Sequence, residues 1–292
     1  MHIKRIDEMH IYDENGNLIG PQPRTKEALM RIIKNRIERY GNEADLNDID
    51  VSLVTDMRAL FHRSKFNGDI SKWDVSNVED MGFMFYQSSF SGDISKWNVG
   101  NVKVMSVMFC ESDFLGDISE WDVGNVREMP SMFNYSIFNG DLSKWNVGKV
   151  ENMNGMFANS KFNGDISKWD VRNVGTMDSM FQNSEFNSDI SKWDVGKVEN
   201  MESMFANSKF NGDISKWDVH SVYNMCYMFQ DSKFNGDISG WNVDHVFNME
   251  GMFQCSEFNG DLSAWNVKDG VKTLHMFDGC PLAGNPPKWY KK

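Results

Sequence analysis

The sequence predicts an α/β solenoid of ten 24-residue coils, each a short strand plus a short helix, closed at its N-terminal end by a hairpin and a capping helix. Three observations predict it. All ten tryptophans, from Trp73 to Trp289, are spaced by 24 residues. Eighteen of the 21 methionines fall in two columns of that period, beginning at Met57 and Met84. Nineteen of the 21 phenylalanines fall in two more, beginning at Phe61 and Phe66. Chance does not align three residue types in this way, and a fixed period of about 20–50 residues marks a repeat architecture.

One repeat, read from Asp69, is DISKWDVSNVEDMGFMFYQSSFSG. Its strand is expected over Phe66–Val75, where Phe66 and Ile70 share one parity and Asn67, Asp69 and Ser71 the other. Its helix is expected around Val78, Met81, Met84 and Phe85, which follow i, i+3, i+6, i+7. A single coil cannot bury so many apolar columns, so neighbours must stack into one core. Ten coils at about 4.8 Å between strands make a rod or arc about 50 Å long. Asn-Gly pairs such as Asn67-Gly68 also fit hairpin turns, but a propeller blade needs about 40 residues or more, and 24 is too few.

The coils begin at Asp45, so the expected division is 1–44 for the cap and 45–292 for the repeats with their C-terminal cap. In the cap, Ile6–Ile11 and Leu18–Ile19 flank Asp13-Glu14-Asn15-Gly16-Asn17 as a small hairpin. Pro21-Gln22-Pro23 breaks the chain, and Thr25 caps a helix running to Tyr40, stopped by Gly41. At the far end, Pro281, Pro286, Pro287, Lys288, Lys291 and Lys292 discourage further strand pairing.

The chain is acidic, with 30 − 42 = −12. That argues against a nucleic-acid footprint. Residues 1–40 carry eight Lys/Arg and six Asp/Glu, a net of +2, so the remainder holds −14. No apolar run reaches the ~20 residues of a membrane span, so no membrane insertion is expected. The N-terminus has charges where an export signal needs an apolar stretch, which by default points to the cytoplasm. Four cysteines (Cys110, Cys226, Cys255, Cys280) form neither a disulfide framework nor a CxxC site, and no metal or cofactor is expected.

The strings FNGDISKWDVSNVEDMGFMF and FNGDISKWDV followed by NMxxMF resemble the BspA-like leucine-rich-repeat surface proteins, in the branch of mycoplasma repeats of unknown function. The resemblance covers residues 45–289. It implies a bacterial, LRR-like solenoid, a place at the cell surface or outside the cell, and a role in adhesion to matrix proteins or other cells. The chain departs from that pattern in showing neither an export signal nor a wall anchor.

The most regular polar column is Asp69, Asp93, Asp117, Asp141, Asp165, Asp189, Asp213, Asp237 and Asp261. Stacked carboxylates repel, so each Asp is read as a turn residue accepting backbone N–H groups. A cation ladder and paired acid–base carboxylates are the weaker readings, because a repeated column supplies identical environments where catalysis needs two different ones. The serine columns (Ser71 through Ser263, Ser64 through Ser256) are equally uniform, and no triad partner stands out. The tryptophans lie between Ile70-type and Val75-type positions, which favours burial with the indole N–H on a carbonyl over an exposed sugar-stacking ladder.

Core and turn columns barely change between repeats. The columns of Ser76, Glu79, Asp80, Gly82, Phe83, Tyr86, Gln87 and Ser89 do change. A partner-specific surface is built from positions free to differ, and the atypical groups there are Phe83, Tyr135, Ile137, Tyr223, Tyr227 and Phe247. Tyr223, Tyr227 and Phe247 are expected to form one patch. The sequence therefore points to a non-enzymatic protein-interaction or adhesion scaffold, active as a monomer, with a protein partner. A glycan-binding module using the strand face or the aromatic columns is the alternative.

Overall fold

The computed structural model describes residues 8–12 and 18–291. Strand β1 (Glu8–Tyr12) pairs antiparallel with β2 (Leu18–Pro23), with Glu8 opposite Pro23 and Ile11 opposite Gly20. The expected hairpin turn, Asp13–Asn17, lies outside the described residues. Pro21-Gln22-Pro23 does not break the chain but completes β2. A two-stranded ribbon has open edges, where a missing proline N–H costs little. The Pro21 carbonyl accepts the Asp50 N–H at 3.0 Å, and Gln22 Nε2 donates to Asp50 Oδ2 at 2.7 Å. Gly20 permits this seating, since a Cβ there would lie 1.8 Å from the Asp48 carbonyl oxygen.

Helix α1 (Lys26–Tyr40) starts where Thr25 Oγ1 accepts the Ala28 N–H and stops at Gly41, whose φ is 86°. It buries Ala28, Leu29, Ile32 and Ile33. Leu29, Ile32 and Ile33 join the same core cluster as Leu46, Ile49 and Leu60, so cap and repeats share one core. Lys26 pairs with Asp56 at 2.9 Å and Arg36 with Asp48 at 2.5 Å.

The repeats stack as successive coils. Isolated parallel bridges join residues 24 apart, from Asp56↔Asp80 through Asn248↔Lys272, with Asp45↔Asp69 at the first corner. Inside the stack, Phe61-type rings follow one another at 5.6–6.0 Å. From Phe61 to Phe253 each also stacks on the Phe66-type ring of its own coil, as Phe85 does on Phe90 at 4.5 Å. Tryptophans from Trp73 to Trp265 are 3–4% exposed. Each indole N–H donates to a carbonyl of the preceding coil, as Trp169 Nε1 does to Leu142 at 3.0 Å.

The expected strand and helix of each coil are not formed among the described residues: the repeat region holds turns and single bridges, with one 3₁₀ turn at Pro281–Gly284. The expected helix is a stack of turns. Met84, Tyr86 and Ser88 donate to the carbonyls of Met81, Phe83 and Phe85 in their own coil. The intervening Met81, Phe83, Phe85 and Gln87 donate instead to Val104, Ser106, Met108 and Cys110 in the next. Phe83 and Gln87 adopt φ of 59° and 52°, which interrupts any α-helix. The reason is spacing. Helices pack 8–10 Å apart, whereas rings of adjacent coils here are about 6 Å apart, a spacing that only extended or turn backbone can keep.

Candidate functional site

The stack has two kinds of outer surface. On one, the Asn67, Asp69 and Ser71 columns form a regular polar face. Each Asp69-type Oδ1 accepts the N–H of the serine two residues on, at 2.8–3.0 Å in all nine repeats from Asp69 to Asp261. That backbone N–H, with help from the serine hydroxyl, holds these carboxyls below their ordinary pKa. No group of three metal-capable side chains occurs among the described residues. The Ser88-type hydroxyls are buried and accept the N–H of the phenylalanine two residues on, as Phe90 donates to Ser88 Oγ.

On the other surface lie the changing columns. Tyr223 and Phe247 occupy the Glu79 column on adjacent coils. Their rings stack in parallel, 5.5 Å apart with 7° between planes. They are 39% and 51% exposed. Elsewhere that column carries Glu79, Lys103, Arg127, Glu151, Gly175, Glu199 and Val271, with Lys103 paired to Glu79 at 2.7 Å and Arg127 to Glu151 at 2.5 Å. The aromatic pair therefore follows a run that is mainly charged.

Tyr227 does not join that pair. Its ring lies against Gly251, where a Cβ would sit 2.2 Å from Tyr227 Cε1, and its hydroxyl donates to Glu250 at 3.2 Å. Partial burial and the Glu250 charge push the phenol pKa up. Phe83 sits under the Arg58 guanidinium at 5.2 Å and edge-on to Tyr86. Tyr135 is 60% exposed, close in sequence to Ile137 at 50%. Phe83, Tyr135 and Tyr227 share one backbone property: φ of 59°, 54° and 55°. Their two columns also hold Gly155, Asn159, Asn183, Asn207, Asp231, Gly251 and Gly279, residues suited to left-handed backbone. Part of the variation read as a binding signature is thus a conformational preference.

Four exposed apolar groups were missed, Met30, Leu53, Leu115 and Leu274. Leu115, 61% exposed, stands in a column that is otherwise Asn or Ser from Asn67 to Asn259, and that departure was a usable signal. Leu274, also 61% exposed, belongs to a changing column in the last coil. The three buried thiols, Cys110, Cys226 and Cys280, are held protonated. Burial pushes Cys110 up to about 12 and, with Glu202 and Glu250 nearby, Cys226 up to about 11.

A family model matches the chain at residues 30–136, 110–209 and 182–289, three overlapping tandem matches that together cover most of it. It is described as Mycoplasma protein of unknown function, DUF285.

The chain belongs to the DUF285 family.

The DUF285 matches begin inside α1 and end at Trp289, so they take in the whole coil stack and the helix that caps it. No curated protein and no solved structure matches the chain.

Proposed function

We propose that this DUF285 protein is a non-enzymatic interaction scaffold whose main contact is the Tyr223–Phe247 pair. One observation carries the reading: two aromatic rings, stacked and half exposed, stand on two adjacent coils in a column that is mainly charged from Glu79 to Glu199. Exposed aromatic groups of this kind are enriched at the centres of protein interfaces and dominate their energetics. The rigid coil backbone beneath holds them without ordering cost on binding. The resemblance to BspA-like leucine-rich-repeat surface proteins supports an adhesive role at the cell surface, on a stack in which turns replace the helix of each coil. Repetition supports the non-enzymatic part, since the polar columns present near-identical environments where catalysis needs a convergent, irregular site.

A glycan-binding role is the second reading. It needs open ring faces, and parallel stacking uses one face of each ring in this pair, while the tryptophans are buried. The protein-binding reading is therefore preferred. The test compares the full chain with a Tyr223→Ser/Phe247→Ser variant and a Tyr135→Ser control, on immobilised matrix proteins and on a glycan array. Protein capture lost only in the double variant supports the scaffold. Retained capture, or saturable binding confined to glycans, overturns it.

A further inference from the structure

In every coil the N–H groups of four alternate residues point to the next coil. Met249, Gly251, Phe253 and Cys255 donate to the carbonyls of Lys272, Leu274, Met276 and Asp278 at 2.7–3.0 Å. The last coil repeats this chain path. Its Met276, Asp278 and Cys280 close turns onto Thr273, His275 and Phe277, and His275 and Gly279 have φ of 58° and 73°. The N–H groups of Thr273, His275, Phe277 and Gly279 have no acceptor among the described residues. Such a row of unpaired donors is a template for another chain.

The two ends of the stack are not equivalent. At the first coil the matching groups are the carbonyls of Asp56, Arg58, Leu60 and His62, and α1 stands beside them. Lys26 holds the Asp56 carboxylate, and the helix faces Leu60–Ser64 across a groove of about 520 Å³. The last coil has no helix over its edge. The chain after Pro281 returns across the end of the last coil, with Trp289 on Trp265 at 6.2 Å and Tyr290 edge-on to the buried Phe277 ring at 4.9 Å. Leu274, His275 and Asp278 are left exposed beside an open cavity of about 300 Å³.

We propose that this C-terminal edge docks a segment of the same repeat carried by a second chain, which adds as a further rung and displaces Tyr290 from the Phe277 ring. The backbone selects that occupant. An extended strand advances about 10 Å in three residues, whereas a turn spans under about 7 Å. An ordinary extended peptide therefore falls out of step with the donors, and a segment with the same alternation of turns stays in step. Side chains agree: with first-coil sequence as the incoming rung, Lys272 meets the position of Asp56 and Asp278 that of His62, while Leu274 meets Arg58. The site is independent of the aromatic pair, and it departs from the monomer expected of the sequence.

The test uses the full chain and a synthetic peptide of residues 55–64, TDMRALFHRS, with a scrambled peptide as control. Amide exchange by NMR should be fast at Thr273, His275, Phe277 and Gly279 in the free protein and slow at Met249, Gly251, Phe253 and Cys255. The peptide should slow the four fast amides at least about tenfold, a clear change on the scale of local opening equilibria. Leu274→Lys should weaken peptide binding and Leu274→Glu strengthen it, each by about 2–5-fold, as expected for one exposed charge facing Arg58 of the peptide. Slow exchange at those amides without peptide, or peptide binding that leaves them unchanged, overturns the proposal. The Tyr223→Ser/Phe247→Ser variant should bind the peptide like wild type, which keeps this test separate from that of the aromatic pair.

Discussion

The two halves of each coil are held to their neighbours by different atoms. In the turn half, backbone bonds backbone: Phe85 N–H to Met108 carbonyl, Lys103 N–H to Glu79 carbonyl. In the tryptophan half, side chains do much of this. Trp97 Nε1 reaches the Ile70 carbonyl, and Asn187 Oδ1 accepts the N–H of Asn211. The difference explains the sequence. Where side chains make the bonds, FNGDISKWDV recurs almost unchanged. Where the backbone makes them, the outer positions vary freely, as the column Gly82, Ser106, Pro130, Asn154, Asp178, Glu202, Cys226 and Glu250 shows. Variation between repeats therefore reports which atoms bear the inter-coil bonds before it reports a binding site.

The sharpest way to break this comparison is Trp169→Ala. It empties a buried indole site and takes the inter-coil donor from the Leu142 carbonyl, which keeps the Trp145 N–H, so unfolding free energy should fall by about 3–5 kcal/mol in a denaturant titration. In the turn half the largest single gain is expected at Val107, a β-branched residue at φ 62°. Val107→Gly should stabilise by about 1 kcal/mol, the relief of left-handed strain less the entropy of glycine. A loss there would mean that the valine side chain, not its backbone, holds the turn. Asn187→Ala should cost about 0.5–1.5 kcal/mol, the loss of one inter-coil hydrogen bond, although the residue is exposed.

The smallest expected effect is the response to acid, and it differs in sign between the halves. Asp69-type carboxyls are lowered by the serine N–H groups they accept. Their contribution is complete above the ordinary value of 3.8 and is lost as pH falls through the lowered folded value. Asp178, in the turn half, is raised by burial. Its ionised form costs stability at neutral pH, and that cost disappears as pH falls through its raised value. Asp178→Asn should therefore raise the urea midpoint at pH 7, whereas Asp165→Asn should lower it. The same direction for both would deny the distinction.

Much of the candidate site was legible. Tyr223 and Phe247 stood out as atypical aromatic groups in a changing column, and the 24-residue period put them on adjacent coils. Their separation from Tyr227 was not legible, because a helix reading places residues four apart on one face, whereas the turn stack sends Tyr227 onto Gly251. The expected helix failed for a related reason. Val78, Met81, Met84 and Phe85 all do point inward, so periodicity identified the buried side chains without identifying the backbone that buries them.

Period, core columns and family were thus determined by the sequence itself, because a repeated core can close only by stacking one coil on the next. The choice of turns over helices was a tertiary decision. A coil-to-coil spacing near 6 Å sends alternate N–H groups outward to a neighbour, and no sequence window contains that neighbour's distance. The same decision leaves four N–H groups of the last coil without an acceptor among the described residues.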